Sequence, residues 1–342
     1  MTKKLKIGNL WIGGGEPVLI QSMTNTDTAD TEATRRQICQ LYEAGCEIVR
    51  VAAYDLNSAA NIANLKSASP MPIVADVHFD YKIAIKAIES GADKVRINPG
   101  NIGGKDKVRQ VVDAAKAHHV PIRVGSNSGS IHKEYQGMAL SDALVESALL
   151  NVRMLEEQGF YDMAISLKAS SVRETVKAYR RMAQIVDYPL HLGVTEAGLR
   201  EASVIKSAMG IGALLLDGIG DTIRVSVTGD PVEEIAIAKG IVKYAGLRSF
   251  GPEVVSCPTC GRTKIDLETL AKKVSQIAKE IDKPLKIAVM GCAVNGPGEA
   301  RDADIGIAGG RGEGLIFLKG QIYKKLPERE LLEEFRRVLK SL

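Results

Sequence analysis

Two neighbouring segments decide the fold, KVRINPG at residues 94–100 and PIRVGSNS at residues 121–128. Each is a short apolar run that ends in polar residues or glycine. Runs of this kind are typical of buried parallel strands, which lie between helices and alternate with them along the chain. The same pattern recurs over the first 230 residues, with further copies VLIQSMT at 18–24, EIVRVAA at 47–53, PIVADVHF at 72–79, DMAISLKAS at 162–170, HLGVTEAG at 191–198 and ALLLDGIG at 213–220 followed by TIRVSVTG at 222–229.

Amphipathic helical patterns separate these runs. In residues 30–45 and 171–187, for example, apolar residues recur at three- and four-residue spacing. Eight successive β/α units predict an α/β protein with a (β/α)8 barrel of the TIM type over residues 1–247. A doubly wound open sheet is the alternative, because strand repetition alone does not show that the sheet closes. The opening segment 4–15 reads as a β-hairpin around Gly-Asn, and we expect it to plug the lower end of the barrel.

The pattern changes near residue 248, which predicts a small α+β domain over residues 248–342. Residues 251–255 read as a link. A CxxC loop, a helix at 266–281 and a strand at 285–291 follow, and then come two further strands, the short run QIYKKL and a final helix.

This second domain contains a cysteine cluster. Cys257 and Cys260 stand on one tight turn, and Cys292 lies in a glycine-rich loop where the backbone can approach a bulky group. A zinc site would need a fourth Cys or a His, but all five histidines lie in the first 191 residues. Iron–sulfur clusters usually take four thiolates, so a fourth position would be open or held by a weaker ligand such as Glu299. Ordinary buried thiols, or zinc with a ligand from elsewhere, remain the alternatives.

Polar residues end most of the predicted barrel strands, where TIM barrels carry their active sites. Five cations would converge there, although the whole chain has a net charge of only +4. Arginine and lysine in such numbers predict a ligand with at least two phosphate groups, whereas any single arginine could equally form a salt bridge within the barrel. The strand-end residues are Arg50, Asp76, His78, Arg96, Asn98, Arg123, Asn127, Lys168, Glu196, Arg224 and Ser226.

Composition argues against several other classes. The 45 basic and 41 acidic residues form no concentrated basic run, so we expect no nucleic-acid partner. No apolar run approaches the roughly 20 residues of a membrane span, and the start lacks the apolar core of a signal peptide. Five cysteines without an export signal argue for a reducing cytoplasm over a disulfide framework. Cys39 and Cys46 read as core residues.

The motifs VRINPGNIG, IRVGSNSGS, SLKAS, GVTEAG, CPTCGR and GCAVNGPGEA stand in this order along the chain. Together they resemble the bacterial family of 4-hydroxy-3-methylbut-2-enyl diphosphate synthases, in its two-domain form, over essentially the whole length. The resemblance implies an oxidoreductase of isoprenoid synthesis that opens the ring of 2-C-methyl-D-erythritol 2,4-cyclodiphosphate and removes a hydroxyl group. It also implies a C-terminal domain of the sulfite and nitrite reductase type.

The resemblance assigns roles to residues of this chain. A 4Fe–4S cluster would be bound by Cys257, Cys260, Cys292 and Glu299. Asp76, His78, Glu196 and the exchangeable Glu299 would be catalytic, with Glu196 the expected proton donor or orienter. The diphosphate would be bound by Arg50, Arg96, Asn98, Arg123, Asn127, Lys168, Arg224 and Ser226.

The resemblance further implies flavodoxin or ferredoxin as electron donor and a head-to-tail homodimer. Two other functions remain open on the residues alone. One is a non-redox sugar-phosphate enzyme with a structural zinc site. The other is a binding protein that senses redox state through its cluster, which the converging cations disfavour.

Overall fold

The computed structural model describes residues 1–135, 137–263, 265–292, 300–310 and 312–342. Its contacts divide the chain into two compact units, Met1–Arg248 and Ser249–Leu342. No helix among the described residues is both long enough and apolar enough to cross a membrane.

The first unit is an eight-stranded parallel barrel, as predicted. Strands β3 to β8 run side by side in chain order, and β10 pairs with both β3 and β9. A parallel bridge between Ile165 and Leu190 links β8 to the start of β9, so the sheet returns on itself. The strands are β3 Leu19–Met23, β4 Ile48–Ala52, β5 Ile73–Asp76, β6 Lys94–Arg96, β7 Ile122–Asn127, β8 Met163–Lys168, β9 His191–Leu192 and β10 Thr222–Ile223.

Helices cover the outside of this barrel. Several begin at an acidic or hydroxyl residue whose side chain accepts a backbone N–H of the first turn, such as Asp30, Asp55, Ser171 and Asp230. The helices are α1 Thr31–Ala44, α2 Leu56–Ala68, α3 Tyr81–Glu89, α4 Pro99–Ile102, α5 Lys105–His118, α6 Leu140–Glu156, α7 Val172–Ile185, α8 Arg200–Ser207, α9 Ala213–Leu216 and α10 Pro231–Tyr244, with 3-10 turns at Ser128–Ser130 and Lys133–Tyr135.

The predicted hairpin is also present, as β1 Leu5–Ile7 and β2 Leu10–Ile12. Its side chains Leu5, Ile7 and Ile12 form one buried cluster with Leu19, Ile48, Val74 and Ala164 of the barrel strands. Because Leu19 and Ile48 are the first residues of β3 and β4, the hairpin closes the amino-terminal end of the barrel. The polar mouth must therefore lie at the opposite, carboxyl end.

The prediction was wrong for residues 213–220. Ala213–Leu216 is helical and continues α8 through a π-helical segment at Ala208–Gly212. Of the two apolar runs in the last predicted β/α repeat, only the second therefore forms a strand. Leu214 and Leu215 are buried, and a short buried apolar run has no periodicity that separates strand from helix. The eighth strand is β10 alone.

The described residues of the second unit form a five-stranded mixed sheet with two helices on one face. Strands β11 Glu253–Ser256, β12 Lys286–Met290 and β13 Ile305–Gly309 are parallel, and β14 Glu313–Leu318 and β15 Gln321–Pro327 continue antiparallel. Helices α11 Leu267–Ala278 and α12 Glu328–Ser341 bury Val274 and Phe335 against Ile287, Ile305 and Ile316. Residues 253–255, predicted as part of a link, belong to strand β11, because backbone pairing with β12 stabilises a half-buried segment too short to show a period.

Candidate active site

The register of the barrel strands brings the predicted mouth residues to one side of the sheet. Asp76 on β5 is aligned with Arg96 on β6, and Arg96 is aligned with Arg123 on β7. Aligned residues on neighbouring strands project to the same face, and Val74, two residues before Asp76 on that face, packs against the hairpin plug, so these residues point into the barrel. Asn127 is aligned in the same way with Lys168.

Asp76 is the centre of this network. Its carboxylate is 3% exposed. It forms an ion pair with Arg50 Nη2, accepts from Arg96 Nη1 at 3.3 Å and contacts His78 Nε2 at 3.1 Å. Desolvation would raise the pKa of this carboxyl, but Arg50, His78 and Arg96 together hold the pKa well below its usual range. Asp76 is therefore an ionised residue that positions two arginines and one histidine.

Arg224 has a separate carboxylate partner that sequence reasoning missed. Glu234, on the first turn of α10 and 2% exposed, accepts from Arg224 Nε at 3.3 Å and from Nη2 at 3.2 Å. The same carboxylate accepts from Ser22 Oγ at 2.7 Å. The sequence left open that these arginines form salt bridges, and Arg50, Arg96 and Arg224 do so. The salt bridges also orient their side chains.

Arg123 and Lys168 are basic side chains that form no ion pair in the described part of the chain. Arg123 is 1% exposed, and its Nε and Nη1 have no hydrogen-bond partner among the described residues. Burial, reinforced by Arg123, Arg50 and other guanidinium groups, lowers the pKa of Lys168 well below its usual range. The interior thus carries more positive than negative charge, an arrangement that an anionic ligand would balance.

Gly193 makes room for the lysine. A Cβ at this position would stand 3.1 Å from Lys168 Nζ and 2.8 Å from the Arg224 carbonyl oxygen. Only glycine lets β9 pass so close to both residues.

The remaining predicted mouth residues are placed less uniformly. Asn127, with its amide oriented to match donors with acceptors, accepts from Arg96 Nη2 at 3.3 Å. Asn98 caps α4 by accepting from Gly100 N at 3.2 Å, so its oxygen is already engaged. Ser226 is half-buried, and its carbonyl oxygen accepts from Ser203 Oγ at 2.7 Å.

Glu196 stands on the loop after β9 in an unusual conformation. It is exposed and has φ +54°, in the left-handed region that residues other than glycine rarely adopt. Thr195 N donates to the Ala169 carbonyl at 3.3 Å and Lys206 Nζ to the Glu196 carbonyl at 3.2 Å, which holds the loop in place. Strain of this kind concentrates at functional sites.

Sequence reasoning also missed an inner layer of polar side chains. Gln21, Lys94 and His191 are fully or almost fully buried inside the barrel. The available signal was strand alternation, since Lys94 precedes Arg96 by two residues and therefore projects to the same face.

The cysteines of the second unit lie at the carboxyl ends of two adjacent strands. Cys257 follows β11 and donates its N–H to Val289 O at 3.3 Å, and its sulfur accepts from Gly291 N at 3.2 Å. Cys292 is the next residue after that glycine. Cys260 is exposed, and hydrogen bonds from the backbone and then the side chain of Arg262 lower the pKa of its thiol. Glu299 lies outside the described residues.

These cysteines suit an iron–sulfur group in their chemistry. Thiolates are its usual ligands, and backbone N–H groups that donate to the sulfurs are part of such sites. Within the described ranges, no three His, Cys, Asp or Glu side chains already converge on a single-ion site.

We predict that Asp76→Asn destabilises the protein by about 3–5 kcal/mol, because Arg50 and Arg96 would remain buried without a counter-charge. A carboxyl with a lowered pKa contributes its stability above the unfolded value and loses it only as the pH falls through the lowered pKa. The urea midpoint difference from wild type should therefore hold from pH 7 to about pH 5 and shrink only at lower pH. Asp113→Asn, on the exposed face of α5, is the control and should change little. A difference that already shrinks between pH 7 and pH 5 would contradict an ionised Asp76.

Comparison with known proteins agrees with this geometry. The GcpE TIM-barrel domain matches residues 2–239, and the GcpE protein C-terminal domain matches residues 253–341. Among solved structures, 7,8-dihydropteroate synthase from Vibrio fischeri aligns with a TM-score of 0.52 at 12% identity, covering 71% of this chain and 98% of that one. An N-acetylneuraminic acid synthetase from Leptospira borgpetersenii aligns at 0.51 and 13%, covering 81% and 97%. These two show the barrel fold alone.

Curated relatives are much more similar. The 4-hydroxy-3-methylbut-2-en-1-yl diphosphate synthase (flavodoxin) of Caldanaerobacter subterraneus is 56% identical, covering 100% of this chain and 97% of its own length. The protein of the same name from Clostridium perfringens is 55% identical, covering 100% and 99%. With both domains matched and identity above half over the full length, the chain belongs to the GcpE family of 4-hydroxy-3-methylbut-2-en-1-yl diphosphate synthases.

Proposed function

We propose that this chain reduces 2-C-methyl-D-erythritol 2,4-cyclodiphosphate to 4-hydroxy-3-methylbut-2-enyl diphosphate, opening the ring and releasing a hydroxyl group as water. The observation that carries the proposal is the excess of buried cations inside the barrel. Arg50, Arg96, Arg123 and Lys168 are buried and have the one carboxylate Asp76 among the described residues of the barrel interior, and the half-buried Arg224 is paired with Glu234 of the outer helix α10. A diphosphate supplies the missing negative charge, and its oxygens match the guanidinium forks.

The barrel residues would then have different roles in binding the diphosphate. Arg96 and Arg50, fixed by Asp76, and Arg224, fixed by Glu234, present preoriented donors to the phosphate oxygens. Lys168 and Arg123 add charge where burial strengthens it. Asn127, Asn98 and Ser226 are proposed as further polar contacts. Because the cations are prearranged, the phosphate oxygen that leaves on ring opening is stabilised as its charge develops.

Proton transfer falls to the exposed groups of the mouth. The departing hydroxyl needs a proton, and Asp76 is unsuited to deliver it because its buried carboxyl stays ionised beside Arg50. We assign the proton to Glu196, which is exposed and held at positive φ on the loop after β9. His78, half-exposed and in contact with Asp76, orients the reacting end.

Cys257, Cys260 and Cys292, with Glu299 as fourth ligand, would hold a 4Fe–4S cluster. When bound, the cluster supplies two electrons one at a time and an iron site that acts as a Lewis acid. The lowered pKa of Cys260 and the Gly291 N–H donated to Cys257 favour thiolates at these positions. Flavodoxin is the proposed electron donor, because the relatives carry it in their name, and ferredoxin is the second candidate. A reducing cytoplasm, which keeps these thiols free, is the proposed location.

We predict that Cys257→Ser, Cys260→Ser and Cys292→Ser each lose most of the bound iron and sulfide, because serine is a poor iron ligand. Cys39→Ser is the matched control. The prediction of Cys39 as a core residue was wrong: Ile38 and Leu41 take the buried positions of α1, so Cys39 is exposed, and it lies far along the chain from the cluster motif. Iron, sulfide and zinc should be assayed after anaerobic purification. Zinc without iron in the wild-type protein would favour the structural zinc alternative instead.

Turnover itself tests the function. With the cyclic diphosphate and reduced flavodoxin under anaerobic conditions, the wild-type protein should form the allylic diphosphate. Lys168→Met should lower kcat/KM by about 10²-fold, since removing one buried charge at an anionic ligand costs roughly 2–5 kcal/mol. Lys6→Met is the matched control, because Lys6 is exposed on the hairpin at the other end of the barrel. An iron-loaded protein without turnover would leave redox sensing as its function.

We also propose that the protein is a homodimer. Helices α9 and α10 and the π-helical segment before α9 expose Met209, Leu216 and Tyr244, each at least 60% accessible, around an apolar groove of about 590 Å³. A continuous apolar face of this kind is typical of a subunit interface, and one face can serve both copies of a symmetric dimer. The head-to-tail arrangement stays a prediction.

Light scattering coupled to gel filtration should give the mass of two chains for wild type. The double variant Met209→Lys, Leu216→Lys should give the mass of one chain, because two buried lysines at an interface are unfavourable. Tyr42→Lys, at an exposed position on α1, is the control and should stay dimeric. A double variant that still elutes as a dimer would place the interface elsewhere.

A further inference from the structure

An inner polar layer lies beneath the cations of the mouth, deeper in the barrel. Lys94 on β6 is aligned with Val74, whose side chain packs against the hairpin plug. His191 on β9 is aligned with Thr222, which contacts its Nδ1 at 2.9 Å. Gln21 stands on β3, two residues before Met23. Barrel interiors at this level are normally filled with branched aliphatic side chains, so three polar residues here need an explanation.

Most polar atoms of this layer are buried without a hydrogen-bond partner among the described residues. Lys94 Nζ, His191 Nε2 and both amide atoms of Gln21 have no hydrogen-bond partner within the described ranges, and the same holds for Nε and Nη1 of Arg123 above them. Buried donors without partners are rare, because each costs the free energy of its lost hydration. A methionine or leucine would fill the place of Lys94 at no such cost.

Lys94 is the most unfavourable member of the layer. Its side chain is fully buried, and burial first, then Arg123 and Arg50, lower the pKa of its amine well below the usual range. The other titratable groups around the barrel interior are mostly basic. The acids are Asp76 and Glu234, and Glu234 is paired with Arg224. The basic groups are Arg50, Arg96, Arg123, Lys168, His191 and Arg224. The empty barrel therefore opposes a charge on Lys94.

A bound diphosphate would reverse the sign of the electrostatic potential at Lys94. Bound to Arg96 and Arg123, it brings two negative charges above the inner layer, and an ammonium group there becomes favourable. We propose that Lys94 is a positioning residue for the diphosphate, neutral in the empty barrel and protonated from solvent when the ligand binds. Its charge then supports Arg123 and the phosphate from below. This inference rests on the proposed function, since it requires a diphosphate in the barrel.

Linkage fixes the sign of the pH dependence. If the pKa of Lys94 is higher with ligand than without, binding takes up a proton between the two values. Affinity is then greatest below the lower pKa and falls as the pH rises toward the higher one, by at most tenfold per pH unit. The opposite dependence would need a group that releases a proton on binding.

Calorimetric titration of the anaerobically purified protein with the cyclic diphosphate tests this. Each phosphorus of this ligand has one strongly acidic hydroxyl, so the ligand itself does not titrate between pH 6 and pH 9. Titrations in buffers of different ionisation enthalpy give the number of protons taken up. Wild type should take up a proton over part of this range, with Kd rising as the pH rises, and Lys94→Met should take up distinctly less, with a flatter Kd profile. His191→Gln is the matched variant and should behave as wild type.

Thermal unfolding of the ligand-free proteins gives a second readout. Lys94→Met should unfold at the same temperature as wild type or higher, because it removes a buried amine without a partner. Lys94→Gln serves if methionine fits poorly. A lower Tm in both variants would overturn the proposal in favour of a structural lysine, as would unchanged proton uptake in both or a loss of uptake in His191→Gln. Absence of any binding to wild type would instead count against the proposed function.

Discussion

The buried carboxylate of Asp76 is the interaction on which the barrel mouth depends. One side chain on β5 reaches Arg50 on β4, Arg96 on β6 and His78 just beyond its own strand. Without it, guanidinium groups a few ångströms apart would repel one another in a medium that screens charge poorly. Glu234 does the same for Arg224 from the outer helix α10. Two carboxylates thus hold three arginines in fixed positions, whereas Arg123 and Lys168 have no carboxylate partner among the described residues.

This arrangement makes the interior a compromise between stability and binding. The amino-terminal end of the barrel is conventional, with the hairpin and the first strand residues forming an apolar cluster. Toward the mouth the interior changes to buried amines, guanidinium groups and an imidazole, several of them without protein partners in the described residues. Aliphatic residues would be more stable there, and the proposed diphosphate would account for the buried cations. The apolar cluster at the lower end and the ion pairs of Asp76 and Glu234 offset the destabilising effect of these buried polar groups.

In the second unit, too, the candidate site residues follow the carboxyl ends of strands. Cys257 follows β11, and Gly291 and Cys292 follow β12, so parallel pairing of two strands brings two separate motifs together. The apolar face of the sheet under α11 and α12 holds those strands in register. The sheet therefore fixes the positions of cysteines that stand on separate loops.

The sequence by itself determined the repeating strand and helix pattern, the hairpin, the cysteine motif and the identity of the cations at the strand ends. Each of these is a local feature, set by alternation and spacing over a few residues. Only the tertiary structure decided which residues meet. Glu234 lies ten residues after Arg224 yet meets it through helix packing, and Ala213–Leu216 is helical because α8 continues into it. The burial of Lys94 and its repulsion by neighbouring cations follow from closure of the sheet, because both belong to the assembled barrel and to no single strand.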